Sequence, residues 1–179
     1  MNIQEFKNRL TGGGARPNMY RVNGTFPAAS VAVSGINPAN DIQFMVQATS
    51  IPTVSLGEVP VSFQGRILKL AGDRSFENWD ITVYNDTNFP LRKAFEAWNN
   101  RINSIETNIG RSGLAEYAQQ WQVTHLDRAG RDIQTYRFID CWPVSVGSIA
   151  LSYDQATSIE TFSVTLAYQY YEIAGGVST

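Results

Sequence analysis

A strict alternation of apolar and polar residues near the C-terminus constrains this chain more than any other sequence feature. Within residues 158–171, large side chains recur at every second position, and the side chains between them are small or uncharged. Successive side chains of a β-strand point to opposite faces, so the pattern predicts a strand with one buried face and one polar face. The predicted buried face consists of Phe162, Val164, Leu166, Tyr168 and Tyr170.

The same period of two recurs along most of the chain from Met19 onward and predicts a mainly β protein. The expected strands are 19–26, 42–49, 59–70, 75–85, 116–126, 132–141, 144–151 and 158–171. Residues 127–131 predict a hairpin turn around Gly130. The glycine- and proline-containing segments 27–41 and 103–115 are predicted loops. We expect an N-terminal helix and arm at 1–18, one β domain at 19–172 and a C-terminal tail at 173–179.

Two segments instead show the period of an α-helix. Residues 2–10 begin with capping-box spacing, place Ile3, Phe6 and Leu10 on one face, and precede a predicted flexible joint at 12–14. A longer helix is predicted up to residue 102, with Pro90 in its first turn and cap candidates at 85–88. Its apolar face is predicted to be core, because full burial of such side chains contributes ~1.5–3 kcal/mol each. That face consists of Leu91, Phe95, Trp98 and Ile102.

Gly65 interrupts the alternation in the middle of the chain. Val59, Val61 and Phe63 share one phase, whereas Leu68 and Leu70 share the other. We interpret this shift as a bulge or bend at Gly65, followed by a turn at Gly72–Asp73. Strands of this length leave long unpaired edges in an open sandwich. A ring of identical subunits would remove those edges, and so would a small barrel closed within one chain.

The composition limits the functions that the chain can have. Lys and Arg number 14 and Asp and Glu number 16, so the net charge of −2 gives no sign of a basic face for nucleic acid or membrane. Cys141 is the only cysteine, which excludes an intrachain disulfide. The N-terminus lacks a signal-peptide pattern, and no stretch approaches the ~20 apolar residues of a membrane span. We therefore expect a soluble product that is intracellular when made.

The sequence offers no convincing catalytic, cofactor or metal site. His125 is the only histidine and has no cysteine or histidine at metal-ligand spacing, so we interpret it as a structural residue. Cys141 precedes Trp142 and Pro143 in an apolar strand, which is typical of a packed thiol. The glycines at 12–14 lack the Gly-Lys-Ser/Thr ending of a phosphate loop. We expect no enzyme activity and no cofactor.

Four blocks of sequence together resemble the tail tube proteins of contractile-tailed bacteriophages. They are the ARPN motif and apolar strand at 15–22, the segment 44–52, the segment 59–86, and the pair 141–147 and 159–172. The third block, VPVSFQGRILKLAGDRSFENWDITVYND, is the most specific. The resemblance covers residues 15–172. It departs from the family pattern at 27–41, which is longer than the plain hairpin expected there.

This resemblance implies a fold and an assembly. The fold would be two packed antiparallel sheets, in a sandwich or barrel, with one flanking helix and a short N-terminal helix. Subunits would form hexameric rings that share one large inner β-barrel and stack into a hollow tube within the virion tail, after assembly in the host cytoplasm. The implied partners are the tail sheath protein, baseplate and tail-end proteins, a tape measure protein in the lumen, and DNA that passes through without specific binding during ejection.

Two sets of residues are candidate assembly sites within such a tube. The mixed charges after Gly65 are predicted to contact another subunit, although an exposed hairpin tip would carry the same charges; they are Arg66, Lys69, Asp73 and Arg74. The polar face of the last strand is predicted to line the lumen, because uncharged side chains do not hold phosphates. Its members are Thr161, Ser163 and Thr165.

Other functions fit parts of the same sequence. The inner tube of a phage-tail-like bacteriocin or of a secretion device would have the same hollow architecture. A specialised ring at one end of a tube would have the same subunit fold. A monomeric ligand-binding β-barrel and a hydrolase are more distant alternatives. Electron microscopy of the purified protein separates these classes, because only the tube proteins form rings.

Overall fold

The computed structural model describes residues 2–10 and 14–174, so most of the glycine joint predicted at 12–14 and most of the C-terminal tail predicted at 173–179 lie outside the described residues. The helices within these ranges are α1 (Ile3–Arg9), α2 (Ala28–Ser34), α3 (Pro38–Met45), α4 (Pro90–Ile102) and α5 (Leu114–Tyr117). The strands are β1 (Tyr20–Gly24), β2 (Val46–Thr49), β3 (Val54–Phe63), β4 (Arg66–Phe76), β5 (Trp79–Tyr84), β6 (Gln119–Leu126), β7 (Asp132–Val146), β8 (Thr161–Ala167) and β9 (Tyr170–Ala174). The mainly β fold is therefore confirmed.

Strand β7 joins the two halves of the main antiparallel sheet. The strand order is β1-β6-β7-β8-β5-β2, and β9 also pairs with β7. The first part of β7 pairs with β6 and β9, whereas residues Trp142 to Val146 pair with β8. Asp140, with a φ of 56°, lies at this change of partner, next to a register irregularity opposite β6. β7 bends there, as a strand does at a bulge.

The separate strands predicted at 132–141 and 144–151 are wrong, because β7 runs unbroken from Asp132 to Val146. The proline at 143 suggested a break, since it cannot donate to a strand ladder. Pro143 is tolerated because β8 lies on one side of it only, and the Asn99 side chain of α4 donates a hydrogen bond of 3.2 Å to its carbonyl oxygen.

Aromatic side chains fill the core between the sheet and α4. Trp79 stacks on Phe138 with ring centroids 4.4 Å apart, and Trp121 lies between Trp79 and Trp98. A buried indole N–H needs an acceptor. All three tryptophans have such an acceptor, at 2.8–3.0 Å. Trp79 donates to the Thr49 hydroxyl, Trp98 to the Tyr117 carbonyl, and Trp121 to the Thr25 carbonyl.

Helix α4 places its apolar face on this core. Leu91, Phe95 and Trp98 are buried, and Ile102 is partly buried against the same cluster. The predicted caps at 85–88 are wrong, since the residue before the helix is Phe89, in a left-handed conformation and without a side-chain capping bond. Proline at the first helical position leaves no N–H to cap there. The Asn85 amide donates instead to the Glu160 carboxylate.

The predicted loop at 27–41 is wrong, because it contains α2 and the first half of α3. Pro27 precedes α2, and Gly35 ends it with a φ of 74°. The Asn37 side chain accepts a hydrogen bond from the Ala39 amide at 3.2 Å and so caps α3. Because α3 continues to Met45, the strand predicted at 42–49 begins only at Val46. The expectation of one flanking helix is corrected accordingly.

Strand boundaries also differ in the second half of the chain. Residues 103–113 contain no helix or strand, but α5 precedes β6, so the strand predicted at 116–126 begins at Gln119. The strand predicted at 158–171 is divided into β8 and β9. Tyr168 is buried as predicted, whereas Tyr170 is exposed, because the chain leaves β8 and starts a new pairing with β7. Among the described residues, no helix is long and apolar enough to cross a membrane.

Candidate functional site

The predicted structural residues His125 and Cys141 lie apart from any reactive cluster. The His125 ring is half-buried beside Tyr136. Cys141 is fully buried, and this burial raises the pKa of its thiol to about 12. Within residues 2–10 and 14–174, no group of three or more potential ligands could hold a metal ion. The fold leaves two surfaces uncovered, and these are the candidate sites.

The largest uncovered element is the hairpin formed by β3 and β4. Within the part of the chain that the structure describes, these strands of 10 and 11 residues pair only with each other and form a separate two-stranded sheet. Gln64 and Gly65 connect them with φ values of 44° and 79°. Two consecutive positive φ values define a type I′ turn, whose twist suits a two-residue hairpin. Such a ribbon is only marginally stable alone.

The single strand predicted at 59–70, the bulge predicted at Gly65 and the turn predicted at Gly72–Asp73 are all wrong. The change of phase at Gly65 arises because the chain reverses there, so that Val61 lies opposite Leu68 and Val59 opposite Leu70. Residues that lie directly opposite each other share a face. The apolar residues of both strands therefore lie together, although their positions differ in parity.

A bulge occurs elsewhere in the hairpin. Leu56 pairs with Arg74 and Glu58 pairs with Ala71, so the single residue Gly57 faces both Gly72 and Asp73. A side chain at Gly72 would approach the Gly57 carbonyl oxygen to 3.1 Å, closer than most Cβ contacts. Glycine at this position therefore permits the bulge, and we define the part of the hairpin between the bulge and the turn as the distal hairpin.

The distal hairpin has one apolar and one polar face. The apolar face is formed by alternate residues of both strands, which are 41–68% exposed: Val59, Val61, Phe63, Leu68 and Leu70. The other face carries an ion pair of 2.7 Å between Lys69 and Glu58, and we call it the polar face for that reason. Pro60 and Ser62 also lie on it, and its one large apolar side chain is Ile67, opposite Ser62 and 66% exposed. A contiguous exposed apolar surface of this kind marks an interaction site.

Below the bulge the apolar residues occupy the opposite face. Val54 and Leu56 lie on the face that is polar in the distal hairpin, and Phe76 pairs with Val54. The Phe76 ring packs edge-on against Tyr168 and Tyr171, with centroids 5.9 and 6.0 Å apart. The base of the hairpin thus packs on the core of the subunit. The apolar face of the distal hairpin lies on the opposite side of the ribbon.

The structure places the four charged residues predicted at the interface along β4, but not on one face. Arg66 is on the apolar face beside the turn, and Lys69 is on the polar face in its ion pair with Glu58. Asp73 lies in the bulge, and Arg74 lies below it, opposite Leu56. All four are exposed.

A second uncovered surface is the outer face of β5 and β8. Thr161, Ser163 and Thr165 lie there opposite Tyr84, Thr82 and Asp80, and the alternate residues Phe162, Val164 and Leu166 are buried. Thr165 donates a hydrogen bond of 2.6 Å from its hydroxyl to the Asp80 carboxylate. Asp80 is the only charged residue among these six paired positions. The sequence contains a signal for Asp80 on this face, because it alternates with the apolar residues Trp79, Ile81 and Val83.

A sequence profile of the phage tail tube protein family matches residues 15–174. The tail tube protein of Enterobacteria phage T4 is 31% identical over 163 residues, which cover 90% of this chain and 93% of the relative. The tail tube protein of Serratia phage KSP90 is 29% identical and covers 93% of both chains.

Solved structures of contractile injection systems have a similar fold. A chain from the anti-feeding prophage baseplate has a TM-score of 0.63 and 16% identity, covering 89% of this chain and 94% of that one. A chain from the PVC sheath–tube complex has a TM-score of 0.61 and 15% identity, covering 93% and 95%. At such identities, the likeness concerns the fold alone.

Proposed function

The chain belongs to the phage tail tube protein family, and from that premise we propose that it is the structural subunit from which the inner tube of a contractile tail is built. The match of residues 15–174 to this family is the observation that carries the proposal. Hexameric rings of the subunit stack into a hollow conduit for the genome. The role is structural rather than catalytic, and it needs no cofactor.

The uncovered backbone and apolar surface support assembly into closed rings. β2 is an outer strand of the main sheet, and the β3–β4 hairpin continues from its end as a ribbon with two free edges. Free edges pair readily with other chains, and a closed ring of identical subunits satisfies them without leaving open ends. We assign Arg66, Asp73 and Arg74 to the subunit contacts made by this hairpin. Lys69 contributes through the polar face, where it forms an exposed ion pair with Glu58.

The outer face of β5 and β8 is our candidate for the lumen wall. Thr161, Ser163 and Thr165 are uncharged and cannot hold phosphates as lysine or arginine would. The Asp80 carboxylate adds negative charge to the same face, which repels DNA. A wall of this character lets the genome pass without binding it.

The partners follow from the same role. One structurally similar chain belongs to a sheath–tube complex, and another belongs to a baseplate. We propose that this tube likewise contacts a sheath outside and a baseplate at its end, and that its lumen holds a tape measure protein before DNA. The protein then resides in the tail of the virion, after assembly in the host cytoplasm.

Negative-stain electron microscopy of the purified chain tests the tube assignment. We expect rings about one subunit thick and, at higher concentration or with other tail proteins added, hollow tubes. Size-exclusion chromatography gives the oligomeric state of the same sample. A protein that stays monomeric at high concentration and forms no tubes with its tail components would contradict the proposal.

Adding positive charge to the wall should slow the genome without preventing assembly. Ser163→Lys places one lysine per subunit on the exposed polar face of β8, where each phosphate contact adds affinity and friction. Virions that carry this variant should form tails of normal length but release DNA more slowly after triggering, measured by the fluorescence of a DNA dye.

Thr107→Lys is the matched control, because it adds the same charge on the exposed loop after α4. Its release should equal that of the wild type. Unchanged release with Ser163→Lys, or loss of tails, would mean that this face does not line the lumen.

A further inference from the structure

Among residues 2–10 and 14–174, no element covers the apolar face of the distal hairpin. β3 and β4 have no other strand partner among the described residues, and the five apolar residues of this face remain largely exposed. The base of the hairpin is fixed to the core through Phe76 on the opposite face. The core of the same subunit therefore lies on the opposite side of the ribbon and does not cover the distal apolar face.

Helix α1 also has an uncovered apolar stripe. Its seven residues include none that is buried, and the side chains of Ile3, Phe6 and Leu10 are 71%, 64% and 45% exposed. Asn2 caps its first turn by accepting a hydrogen bond from the Gln4 amide. A helix of under two turns does not persist in water without packing. In the structure, then, the stripe of α1 and the distal apolar face do not cover each other within one chain.

The two surfaces match in length and in polarity. Seven helical residues extend over ~10 Å at 1.5 Å each. The distal ladder from the Val59–Leu70 pair to the Phe63–Arg66 pair extends over ~13 Å at about 3.3 Å per residue. A helix with one apolar stripe is the usual cover for the apolar face of a sheet.

The charges at the ends of the two surfaces favour one relative direction. α1 has the acidic Glu5 in its first turn and the basic Lys7 and Arg9 in its last turn. The hairpin has Arg66 beside its turn and Asp73 in its bulge. If α1 lies along the ladder with its last turn at the bulge, both ends bring opposite charges together, whereas the reverse direction brings like charges together.

We propose that α1 of one subunit packs lengthwise on the apolar face of the distal hairpin of a second copy of this chain, with its last turn at the bulge. This proposal rests on the proposed tube function, which brings copies side by side. The N-terminal helix then holds two neighbouring subunits together. Phe6 then lies near the centre of the face, over Val61 and Leu68.

Disulfide trapping in assembled tubes tests the contact. Phe6→Cys combined with Val61→Cys should, after mild oxidation, give a ladder of covalently linked chains on a non-reducing gel. The native Cys141 does not interfere, because it is fully buried. Phe6→Cys combined with Ser62→Cys is the matched control, since residue 62 is adjacent but on the polar face, and it should give monomers.

The results distinguish failure of the proposed α1–hairpin contact from failure of the tube assignment. Absence of linked chains in well-formed tubes, or a faster-moving monomer linked within one chain, would overturn the proposal and leave the tube assignment intact. Absence of rings and tubes in the wild-type protein would overturn the tube assignment itself.

A charge variant covers the case in which the cysteine variants do not assemble. Phe6→Asp should abolish tubes under conditions in which the wild type forms them, because it puts a carboxylate into the apolar contact. Asn8→Asp, on the other side of α1, should assemble normally. Normal tubes with Phe6→Asp would overturn the proposal.

Discussion

Replacement of Trp98 by alanine should destabilise the subunit by about 3–5 kcal/mol, the range for large-to-small changes of aromatic core residues. The Trp98 side chain is fully buried, with its ring 5.7 Å from that of Phe26 and 6.3 Å from that of Trp121. Its loss also removes the donor to the Tyr117 carbonyl. A domain has a total stability of only about 5–15 kcal/mol, so we expect mostly insoluble protein.

The measurement is urea unfolding of the soluble fraction at low concentration, because assembly would stabilise the folded state by mass action. Lys93→Ala is the control on the same helix, since Lys93 is exposed, and its effect should be within about 0.5 kcal/mol. If Trp98→Ala unfolds at the wild-type urea concentration, α4 does not hold this core together.

Val61→Asp should abolish tube formation while the chain still folds. Val61 lies at the centre of the distal apolar face and makes no contribution to the core of its own subunit. An unpaired carboxylate in an apolar contact costs several kcal/mol, and in a tube that cost recurs at every subunit. Circular dichroism should therefore be unchanged, whereas electron microscopy should show no tubes.

Ser62→Asp is the matched control for this variant. It places the same charge at the next residue, on the polar face that already carries the Glu58–Lys69 pair. It should form tubes like the wild type. Equal assembly of both variants would show that the apolar face of the hairpin is not buried between subunits.

Elements with a strong local period were predictable from the sequence. The apolar face of α4 and the buried residues Phe162 to Tyr168 follow from a period of 3.6 and a period of two, because burial on one side imposes them. The short helices α2 and α3 were not predictable in this way. The proline and glycine residues at their ends are also typical of loops. In addition, α2 is stabilised by packing on α4 and not by a long amphipathic pattern that the sequence would show.

The hairpin shows why the candidate site was only partly predictable. A shift of phase at Gly65 is compatible with a bulge and with a reversal of the chain, and the Gln64–Gly65 pair is not the Asn-Gly or Asp-Gly pair that usually indicates a type I′ turn. The choice between them depends on which residues lie opposite each other, which is long-range information. The charges at 66–74 were therefore found, but their distribution over two faces was not.

The continuity of β7 through both halves of the sheet has a mechanical consequence. One covalent strand of 15 residues carries the ladders to β6 and β9 along its first part and the ladder to β8 along its last part. A force that pulls the two halves apart along this strand loads these ladders in shear, so that many backbone hydrogen bonds resist together rather than opening one at a time. The bend at Asp140 redirects the strand without interrupting the chain. A tensile load applied to one half of the subunit is thus transmitted to the other through the backbone itself.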